Sequence, residues 1–365
     1  MVRVLLNLSS LPARPAGAGR YALELVHALR EHTEAALLPV APPWARRWGI
    51  EPAVLAPATG PLVRAAWEAV RLPWEVRSLE YDVYHGTHFT VPPGLGRPTV
   101  ATAHDVTFLL YPRRYPASRR AYYRLLARSA VRARRLIVPS ESVRREVVRR
   151  LGVEERRVRV VPEAPGSPFR PASEEAVRAA CARFGIRRPY FLTFGAADPG
   201  KRAVDAIRAL ALLAEGGTRA DLAVVGPTGR FTRALRREAE RLGVGELVRF
   251  CGYVEDETLR ALYTGAVALL FPSLWEGFGL PPLESLACGT PAVVADAPAM
   301  NEVLRPAAVF VPLGDPRALA EAAGRLLRPS EREEAVARGQ ELLARYTWER
   351  TASLTYEVYV EARRG

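Results

Sequence analysis

The chain has 365 residues, which is long for one hydrophobic core and comfortable for two domains. Its 49% hydrophobic and 25% charged residues are typical of a water-soluble globular protein, and no run of 18 apolar residues predicts a membrane span. The net charge of +13 lies entirely in residues 1–185, which hold 29 arginines against 16 acidic residues. This asymmetry predicts different partners for the two halves.

The chain begins with a strand-like segment, residues 2–8, followed by an amphipathic helix over residues 18–30. Gly17 and Gly19 open that helix, and backbone amides at a helix entry favour phosphate. A flexible helix entry without a ligand is the alternative. As a dinucleotide-binding fingerprint the segment is weak, because no acidic residue ends a strand about 20 residues later.

Residues 35–40 predict a second strand, and residues 61–79 predict an amphipathic helix interrupted at Pro73. Trp67 and Trp74 lie in this helix. Tryptophan beside arginine is typical of a membrane interface, but packing on the sheet is the favoured interpretation.

Two further strands, residues 81–85 and 98–104, place His85, His88 and His104 at strand ends. Histidine exchanges a proton near neutral pH, so each is a candidate for catalysis as well as for a structural role. No Cys/His spacing resembles a zinc site, and we predict no metal.

Residues 115–135 and 140–151 predict helices on either side of the strand 136–140, and Ser140 is a predicted N-cap. The two predicted helices carry 11 of the 16 arginines in residues 113–159.

That region, residues 113–159, holds 16 arginines and 4 acidic residues. Its basic face fits anionic lipid headgroups or a phosphorylated acceptor, each surface charge adding about 1 kcal/mol. A solvated helix face explains it equally well, and both interpretations stay open. Nucleic acid is not expected, because only Tyr122 and Tyr123 interleave with the arginines.

Prolines recur at every third position from Pro162 to Pro171, a spacing that opposes a helix and favours an extended hinge. The strand 189–194 follows, and then the loop 195–202, whose sequence nearly matches that of a phosphate-binding loop. Arg202 stands where that loop needs a hydroxyl for magnesium.

Lys201 lies in the same loop and is the only lysine of the chain, whose 52 basic residues are otherwise arginines. An ammonium is more compact than a guanidinium, so a lysine kept at one position indicates a specific contact. The three cysteines, at scattered positions without CxxC spacing, are expected to be reduced, buried thiols of a cytoplasmic chain: Cys181, Cys251 and Cys288.

Short apolar strands then alternate with helical segments, which predicts a parallel sheet with crossover helices. The strands are residues 221–226, 248–251, 267–271, 292–295 and 308–311, and the helices between them include residues 231–242 and 256–264.

The strand 267–271 leads into a glycine loop and a helix that restarts near Pro281 or Pro282. Free amides at a helix start favour a phosphate, whereas the carboxylates of Glu276 and Glu284 suit hydroxyl donors. Phosphate together with a polyol describes a nucleotide-sugar.

The segment 276–291, Glu-Gly-Phe-Gly-Leu-Pro-Pro-Leu-Glu-Ser-Leu-Ala-Cys-Gly-Thr-Pro, resembles the Glu-x7-Glu signature of retaining glycosyltransferases of family 4. The resemblance covers nearly the whole chain and is strongest across 189–312. It implies an α/β fold of the GT-B type, with two Rossmann-like parallel-sheet domains facing a central cleft. The implied organisation is an acceptor domain over 1–165, a hinge region over 166–188, a donor domain over 189–346 and a last helix, 347–363, that packs back on the first domain.

The resemblance also implies site residues. His104, Lys201 and Glu276 are the catalytic candidates. The implied donor-binding residues are Gly17, Gly19, Gly195, Lys201, Arg202, Gly226, Tyr253, Val254, Glu276, Gly277, Phe278, Gly279, Leu280 and Glu284. In this interpretation Lys201 binds the diphosphate, Glu276 the sugar hydroxyls and Glu284 the ribose. Glu163 and Ala164 depart from an Asn-Gly pair of the family, which leaves any role there open.

The implied activity is retaining transfer of a hexosyl group, with mannosyl favoured, from a nucleoside-diphosphate sugar to a hydroxyl of a lipid-linked, polysaccharide or small-molecule acceptor. A GDP-linked donor is favoured over a UDP-linked one, no further cofactor is expected, and the basic domain offers a peripheral contact with the inner membrane face. Two alternatives stay open: a sugar-nucleotide 2-epimerase, and a non-catalytic membrane- or nucleic-acid-binding subunit with a relict sugar site.

Overall fold

The computed structural model describes residues 1–196 and 198–364, and Ala197 and Gly365 lie outside the described residues. The described chain divides into two units. The first comprises Met1–Ala164 with Tyr346–Gly365, and the second comprises Pro165–Arg345.

The first unit is built on a parallel sheet, which has seven strands among the described residues. Its strands are β1 (Val2–Asn7), β2 (Ala35–Ala41), β3 (Val54–Leu55), β4 (Val83–Gly86), β5 (Thr99–Thr102), β6 (Arg135–Val138) and β7 (Val158–Val160). The order is β3-β2-β1-β4-β5-β6-β7. Strands β2 and β3 are added on one side of β1, and strands β4 to β7 are added on its other side. The switch point therefore lies between β1 and β4.

Helices cover this sheet, as parallel strands require. They are α1 (Ala18–His32), α2 (Pro61–Val70), α3 (Leu72–Glu75), α4 (Thr107–Leu110), α5 (Ala117–Ala130), α6 (Glu141–Leu151) and α15 (Trp348–Arg364), with short 3-10 helices at Pro43–Trp48, Pro112–Arg114 and Glu155–Arg157. The predicted N-cap is confirmed, since the Ser140 hydroxyl accepts a hydrogen bond from the amide of Val143 at 3.2 Å.

Two helix predictions of the first unit were too long. The predicted helix 61–79 breaks at Arg71 rather than at Pro73, because Pro73 occupies the first turn of the new helix α3. The predicted helix 115–135 ends at Ala130, and Arg135 already belongs to the next strand.

The second unit has a parallel sheet of six strands within its described residues. They are β8 (Tyr190–Phe194), β9 (Asp221–Val225), β10 (Val248–Gly252), β11 (Leu269–Phe271), β12 (Ala292–Ala295) and β13 (Val309–Val311). The order is β10-β9-β8-β11-β12-β13, so the switch point lies between β8 and β11. The two parallel sheets confirm the predicted fold class.

The helices of the second unit are α7 (Glu174–Phe184), α8 (Ala203–Glu215), α9 (Arg230–Arg241), α10 (Asp256–Gly265), α11 (Leu280–Ala287), α12 (Pro298–Leu304), α13 (Pro316–Arg325) and α14 (Pro329–Leu343), with 3-10 helices at Pro199–Lys201 and Gly245–Leu247. Helix α7 lies inside the segment 166–188 that the sequence analysis assigned to the hinge. Ser173 caps it by accepting a hydrogen bond from the amide of Ala176.

The three cysteines are buried and free, as expected. Burial raises the pKa of the Cys251 and Cys288 thiols to about 12, so neither is a ready nucleophile. Across residues 1–196 and 198–364, none of the helices combines the length and the apolar character that crossing a membrane would take.

Candidate functional site

The second unit brings two loops together at the carboxyl ends of β8 and β11. These two parallel strands are neighbours, and the order in which strands are added to the sheet reverses between them. Open parallel sheets bind ligands at such a switch point, outside the carboxyl ends of the strands. The amide of Leu274, after β11, donates to the carbonyl of Gly200, after β8, at 2.9 Å. This hydrogen bond fixes the two loops against each other.

Lys201 and Glu276 form the polar centre of this site. The Lys201 ammonium lies 2.6 Å from Oε1 of Glu276, and the Ser273 hydroxyl donates to the same oxygen at 2.5 Å. The ammonium also lies 5.1 Å from the centre of the Phe271 ring. Both side chains are largely shielded, with exposed fractions of 26% and 13%. Both residues were predicted as catalytic, and the structure places them in direct contact.

Gly195 ends β8 and makes room for this lysine. Its φ is +113°, and a Cβ built on it would lie 2.4 Å from the Cβ of Lys201. Any side chain at this position would therefore displace Lys201. Ala197, in the same loop, lies outside the described residues.

Arg202, predicted to bind the donor diphosphate, is engaged locally. Its φ is +53°, and its guanidinium contacts both carboxylate oxygens of the buried Asp205 one turn into α8. Asp205 thus orients a cation that directly follows Lys201 in the chain.

The glycine loop after β11 leads into α11, which begins at Leu280 with prolines in its first turn. Gly279 has a φ of +101°, a backbone conformation that other residues rarely adopt, and a Cβ there would also have to displace the end of the Met300 side chain. Phe278 is buried, and Gly277 lies between it and Glu276.

Glu284 lies on α11 and is 3% exposed. The hydroxyl of Tyr263, on α10, donates to Oε2 of Glu284 at 3.1 Å. A buried carboxylate needs such donors, and it will accept hydroxyls of a ligand that reaches it.

Gly226, Tyr253 and Val254 follow the two strands on the other side of β8. The amide of Gly226 donates to the carbonyl of Gly252 at 2.9 Å, and a Cβ on Gly226 would lie 3.6 Å from the amide nitrogen of Ala196. Gly226 is therefore adjacent to the loop of Lys201. Val254 is buried and follows Tyr253 at the end of β10.

In the first unit, Gly17 and Gly19 open α1 as predicted. Gly17 is the N-cap and has a φ of +52°. Gly19 lies against Pro12, since a Cβ on it would approach the Pro12 Cδ to 2.8 Å. Neither geometry tests phosphate binding by this loop, and that role stays a prediction.

His104 follows β5 and faces two acceptors. Its Nδ1 lies 2.9 Å from Oε1 of Glu163, and its Nε2 lies 2.9 Å from the carbonyl oxygen of Thr87. A carboxylate and a carbonyl only accept, so these two partners favour the imidazolium form, in which both ring nitrogens donate. Burial disfavours that charge, but the hydrogen bond to Glu163 and the charge of its carboxylate prevail and raise the pKa of His104.

The other two strand-end histidines are neutral. His85 is fully buried between the hydroxyls of Tyr359 and Thr102, at 2.7 and 2.8 Å, which makes it a structural link between α15 and the sheet. His88 lies 6.1 Å from His104 between ring centres. Burial lowers the pKa of both His85 and His88 to about 3.

Three residues that orient the predicted ones were missed from the sequence, Asp205, Tyr263 and Ser273, and the role of Glu163 was left open. Asp205 was accessible to sequence reasoning, because it lies three residues after Arg202 at a helix start. Glu163 and Tyr263 contact partners 59 and 21 residues away, and no local pattern announces such pairs.

Comparison with known proteins agrees with this architecture. The family profile described as glycosyl transferases group 1 matches residues 183–341, and the profile described as glycosyltransferase family 4 matches residues 15–164. Each profile falls on one of the two parallel sheets.

Among curated proteins, the O-antigen chain mannosyltransferase B of Escherichia coli is 30% identical over 293 residues, covering 79% of this chain and 77% of that protein. The O-antigen chain mannosyltransferase RfbU of Salmonella typhimurium is 27% identical over 265 residues, covering 72% and 69%. Among solved structures, Anabaena HepE in complex with UDP and glucose superposes with a TM-score of 0.78 at 17% identity, covering 99% of this chain and 100% of that one. The chain therefore belongs to the group 1, family 4 glycosyltransferases and has the GT-B fold.

Proposed function

We propose that this glycosyltransferase moves a hexosyl group, with retention of configuration, from a nucleoside-diphosphate sugar bound by the second unit. The observation that carries the proposal is the contact of Lys201 with Glu276 at the switch point of the second sheet. One cation and one carboxylate meet there, beside a glycine-rich loop, as a ligand with a diphosphate and several hydroxyls requires.

The proposed chemistry assigns opposite tasks to the two side chains. Departure of the nucleoside diphosphate leaves negative charge on a phosphate oxygen, and the Lys201 ammonium stabilises that charge. A fixed cation in a shielded site does this without reorganisation as the bond breaks. Glu276 accepts hydrogen bonds from hydroxyls of the transferred sugar. Bound diphosphate then takes over the lysine that Glu276 holds in the free enzyme.

Glu284 is the proposed partner of the ribose hydroxyls. Its burial and its hydrogen bond from Tyr263 support the proposal, because the carboxylate is held in one orientation. In the first unit, we propose the His104 imidazolium as a second fixed cation. It does not act as a general base in this arrangement, since both ring nitrogens already donate.

We retain GDP as the preferred nucleotide and mannose as the preferred sugar. The two relatives that are named mannosyltransferases support mannose. The complex of HepE with UDP and glucose makes UDP the competing donor. For the acceptor, the same relatives' O-antigen names favour a saccharide hydroxyl, and a lipid-linked saccharide at the inner membrane face is the specific acceptor we propose.

The test is the thermal midpoint of the protein with GDP, UDP, ADP and TDP. A ligand that binds only the folded state adds roughly 2.7 kcal/mol at a hundredfold excess over its dissociation constant. We expect GDP to give the largest shift, and the Lys201→Ala variant to show a much smaller one. Equal midpoints with and without every nucleotide would refute donor binding.

The preferred nucleotide then decides which sugars to assay. Turnover of the sugar nucleotide only when a saccharide acceptor is present supports transfer. Interconversion of the sugar nucleotide without acceptor would instead identify an epimerase, and nucleotide binding without any turnover would identify a non-catalytic subunit.

A further inference from the structure

Helix α2 of the first unit buries a charged side chain and exposes apolar ones. Its deeply buried residue is an acid: Glu68 is 3% exposed, contacts the Ser9 hydroxyl, and lies 3.6 Å from the Arg64 guanidinium. Its apolar residues Leu62 and Val70 point to solvent, with exposed fractions of 69% and 78%. A helix that packs on a sheet normally shows the opposite arrangement.

The exposed face continues into α3. Leu62, Val63, Val70 and Trp74 form what we call the α2–α3 apolar surface, and Trp74 is 62% exposed. This result corrects the prediction that Trp74 packs on the sheet. Of the eight exposed large hydrophobic side chains among the described residues, these four lie within 13 residues of sequence. Such clustering marks an interaction surface.

Arginines border this surface, and two of them are paired: Arg64 with Glu68 at 3.6 Å and Arg71 with Glu75 at 2.6 Å. Between Glu51 and Glu75 the sequence holds one acid, the buried Glu68. The guanidinium of Arg77 lies 4.7 Å from the centre of the Trp74 ring. The surface therefore presents apolar side chains and the guanidinium of Arg77 to solvent, beside the Arg71–Glu75 pair.

Helix α5 supplies positive charge next to this surface. The Arg64 guanidinium donates to the Tyr122 hydroxyl at 3.0 Å, which joins α2 to α5. Leu125 lies one turn beyond Tyr122 and is 58% exposed. The four arginines of α5 form no salt bridge among the described residues, and we call them the α5 arginines: Arg119, Arg120, Arg124 and Arg128.

Two of the four arginines of α6 are paired with acids. Arg144 pairs with Glu141 and Glu155, and Arg150 pairs with Glu146. The basic region that the sequence presented as one face thus divides into a helix that carries acids of its own, α6, and a helix whose sequence contains none, α5.

A pocket of about 360 Å³ also borders α5. It is lined by Arg124 and Arg128 together with Leu109, Arg150 and Leu151, among others. Apolar side chains beside guanidinium groups suit the junction between a phosphate headgroup and an acyl chain.

We propose that the α2–α3 apolar surface and the α5 arginines dock the first unit on an anionic lipid bilayer. Leu62, Val63, Val70 and Trp74 enter the boundary between headgroups and acyl chains, and the α5 arginines contact lipid phosphates. A bilayer, rather than a protein, is the occupant because the surface combines exposed apolar side chains with a helix whose charges are all positive and an arginine beside an exposed tryptophan. The proposal stands on this surface alone and does not require the donor site.

The experiment is vesicle flotation of the full chain with phosphatidylglycerol–phosphatidylcholine vesicles and with pure phosphatidylcholine vesicles. We expect binding to the anionic vesicles that weakens as salt rises. Replacing Leu62, Val70 and Trp74 together by serine should reduce binding at least tenfold. The matched control is Leu313→Ser, an exposed apolar residue of the second unit, which should bind like the wild type.

A second set tests the charge. Arg119→Glu, Arg124→Glu and Arg128→Glu, combined, should reduce binding at least tenfold. The same change in net charge in the second unit, through Arg219→Glu, Arg233→Glu and Arg237→Glu, should have a much smaller effect. All replaced side chains are exposed, and an unchanged circular dichroism spectrum verifies each fold.

Three outcomes overturn the proposal. If the wild-type protein does not bind anionic vesicles, a bilayer partner is excluded. Equal losses in the two arginine triples reduce the effect to net charge. A dimer in sedimentation that the serine triple dissociates, with vesicle binding unaffected, assigns the surface to a second copy. Since flotation uses no sugar nucleotide, none of these results bears on donor binding, and a failed donor assay leaves docking intact.

Discussion

The ammonium of Lys201 and the carboxylate of Glu276 lie 2.6 Å apart although 75 residues separate them in the chain. The parallel sheet creates this contact, because β8 and β11 are neighbours and their loops leave the same edge. In the free protein each group neutralises the other. A diphosphate therefore binds in exchange for an internal partner, and the carboxylate is released to accept hydroxyl groups.

Lys201→Ala should weaken the binding of nucleoside diphosphates by about 2 kcal/mol, roughly 30-fold, because a charged hydrogen bond to the phosphates is lost. Isothermal titration with the preferred nucleotide measures this. Arg208→Ala is the matched control, since it removes an exposed cation paired with Glu238 on the neighbouring helix surface. Unchanged affinity in Lys201→Ala would remove the lysine from the donor site.

Gly195→Ala should reduce both stability and nucleotide affinity, because the added methyl group would overlap the Lys201 side chain. Gly217→Ala separates the two causes. Gly217 also has a positive φ, +82°, but a methyl group added there would meet no atom within 4 Å beyond its chain neighbours. We expect each variant to lose about 1–2 kcal/mol of stability from the left-handed backbone. Only Gly195→Ala should lose affinity, and equal affinities would contradict the crowding argument.

Glu163→Gln should lower the pKa of His104, which the hydrogen bond and the charge of Glu163 raise in the wild type. A pKa raised on folding contributes stability below the unfolded value of about 6.5, and that contribution disappears as pH rises through the folded pKa. The variant should therefore be about 1–3 kcal/mol less stable than the wild type near pH 6, with a smaller difference at pH 9.

Urea unfolding across this pH range, with a magnetic-resonance titration of the His104 ring, checks the prediction. Glu154→Gln, an exposed carboxylate paired with Arg156 in the same unit, is the control. A stability difference that grows with pH would have the wrong sign for an imidazolium–carboxylate pair.

Tyr359→Phe should cost about 1–3 kcal/mol of stability, because His85 loses a buried hydrogen-bond partner. The measurement is the free energy of unfolding. Tyr356→Phe, on the same helix α15 but only partly buried, should cost less than half as much. If the two substitutions are equivalent, the hydrogen bond between His85 and α15 is not what holds this helix on the sheet.

The sequence predicted most of the fold, because parallel strands buried on both faces are short apolar runs that stand out between charged helices. β12 was predicted to the residue, from Ala292 to Ala295. The predictions failed at helix boundaries that more than one residue could set. Pro73 was taken as the break in the helix 61–79, but a proline is favourable in a first turn, so the break moved to Arg71.

Side-chain partnerships were beyond sequence reasoning. The glycine loop and Lys201 were each recognised from local pattern, but their contact depends on the strand order β9-β8-β11, which alternation alone does not determine. The direction of a helix face failed for a related reason. In α2 the buried Glu68 and the exposed Leu62 reverse the usual arrangement, since Glu68 finds the Ser9 hydroxyl beneath it rather than an apolar surface.

A chain with one lysine carries a single side-chain amine, and here that amine is the shielded partner of Glu276. Acylating reagents therefore have two targets, the Lys201 side chain and the amino terminus, in two different proteolytic peptides. The amino-terminal peptide provides an internal reference for the other within one mass spectrum. The ratio of the two labels therefore measures how much a bound ligand protects Lys201. The measurement needs no amino-acid substitution and works in crude mixtures of candidate sugar nucleotides.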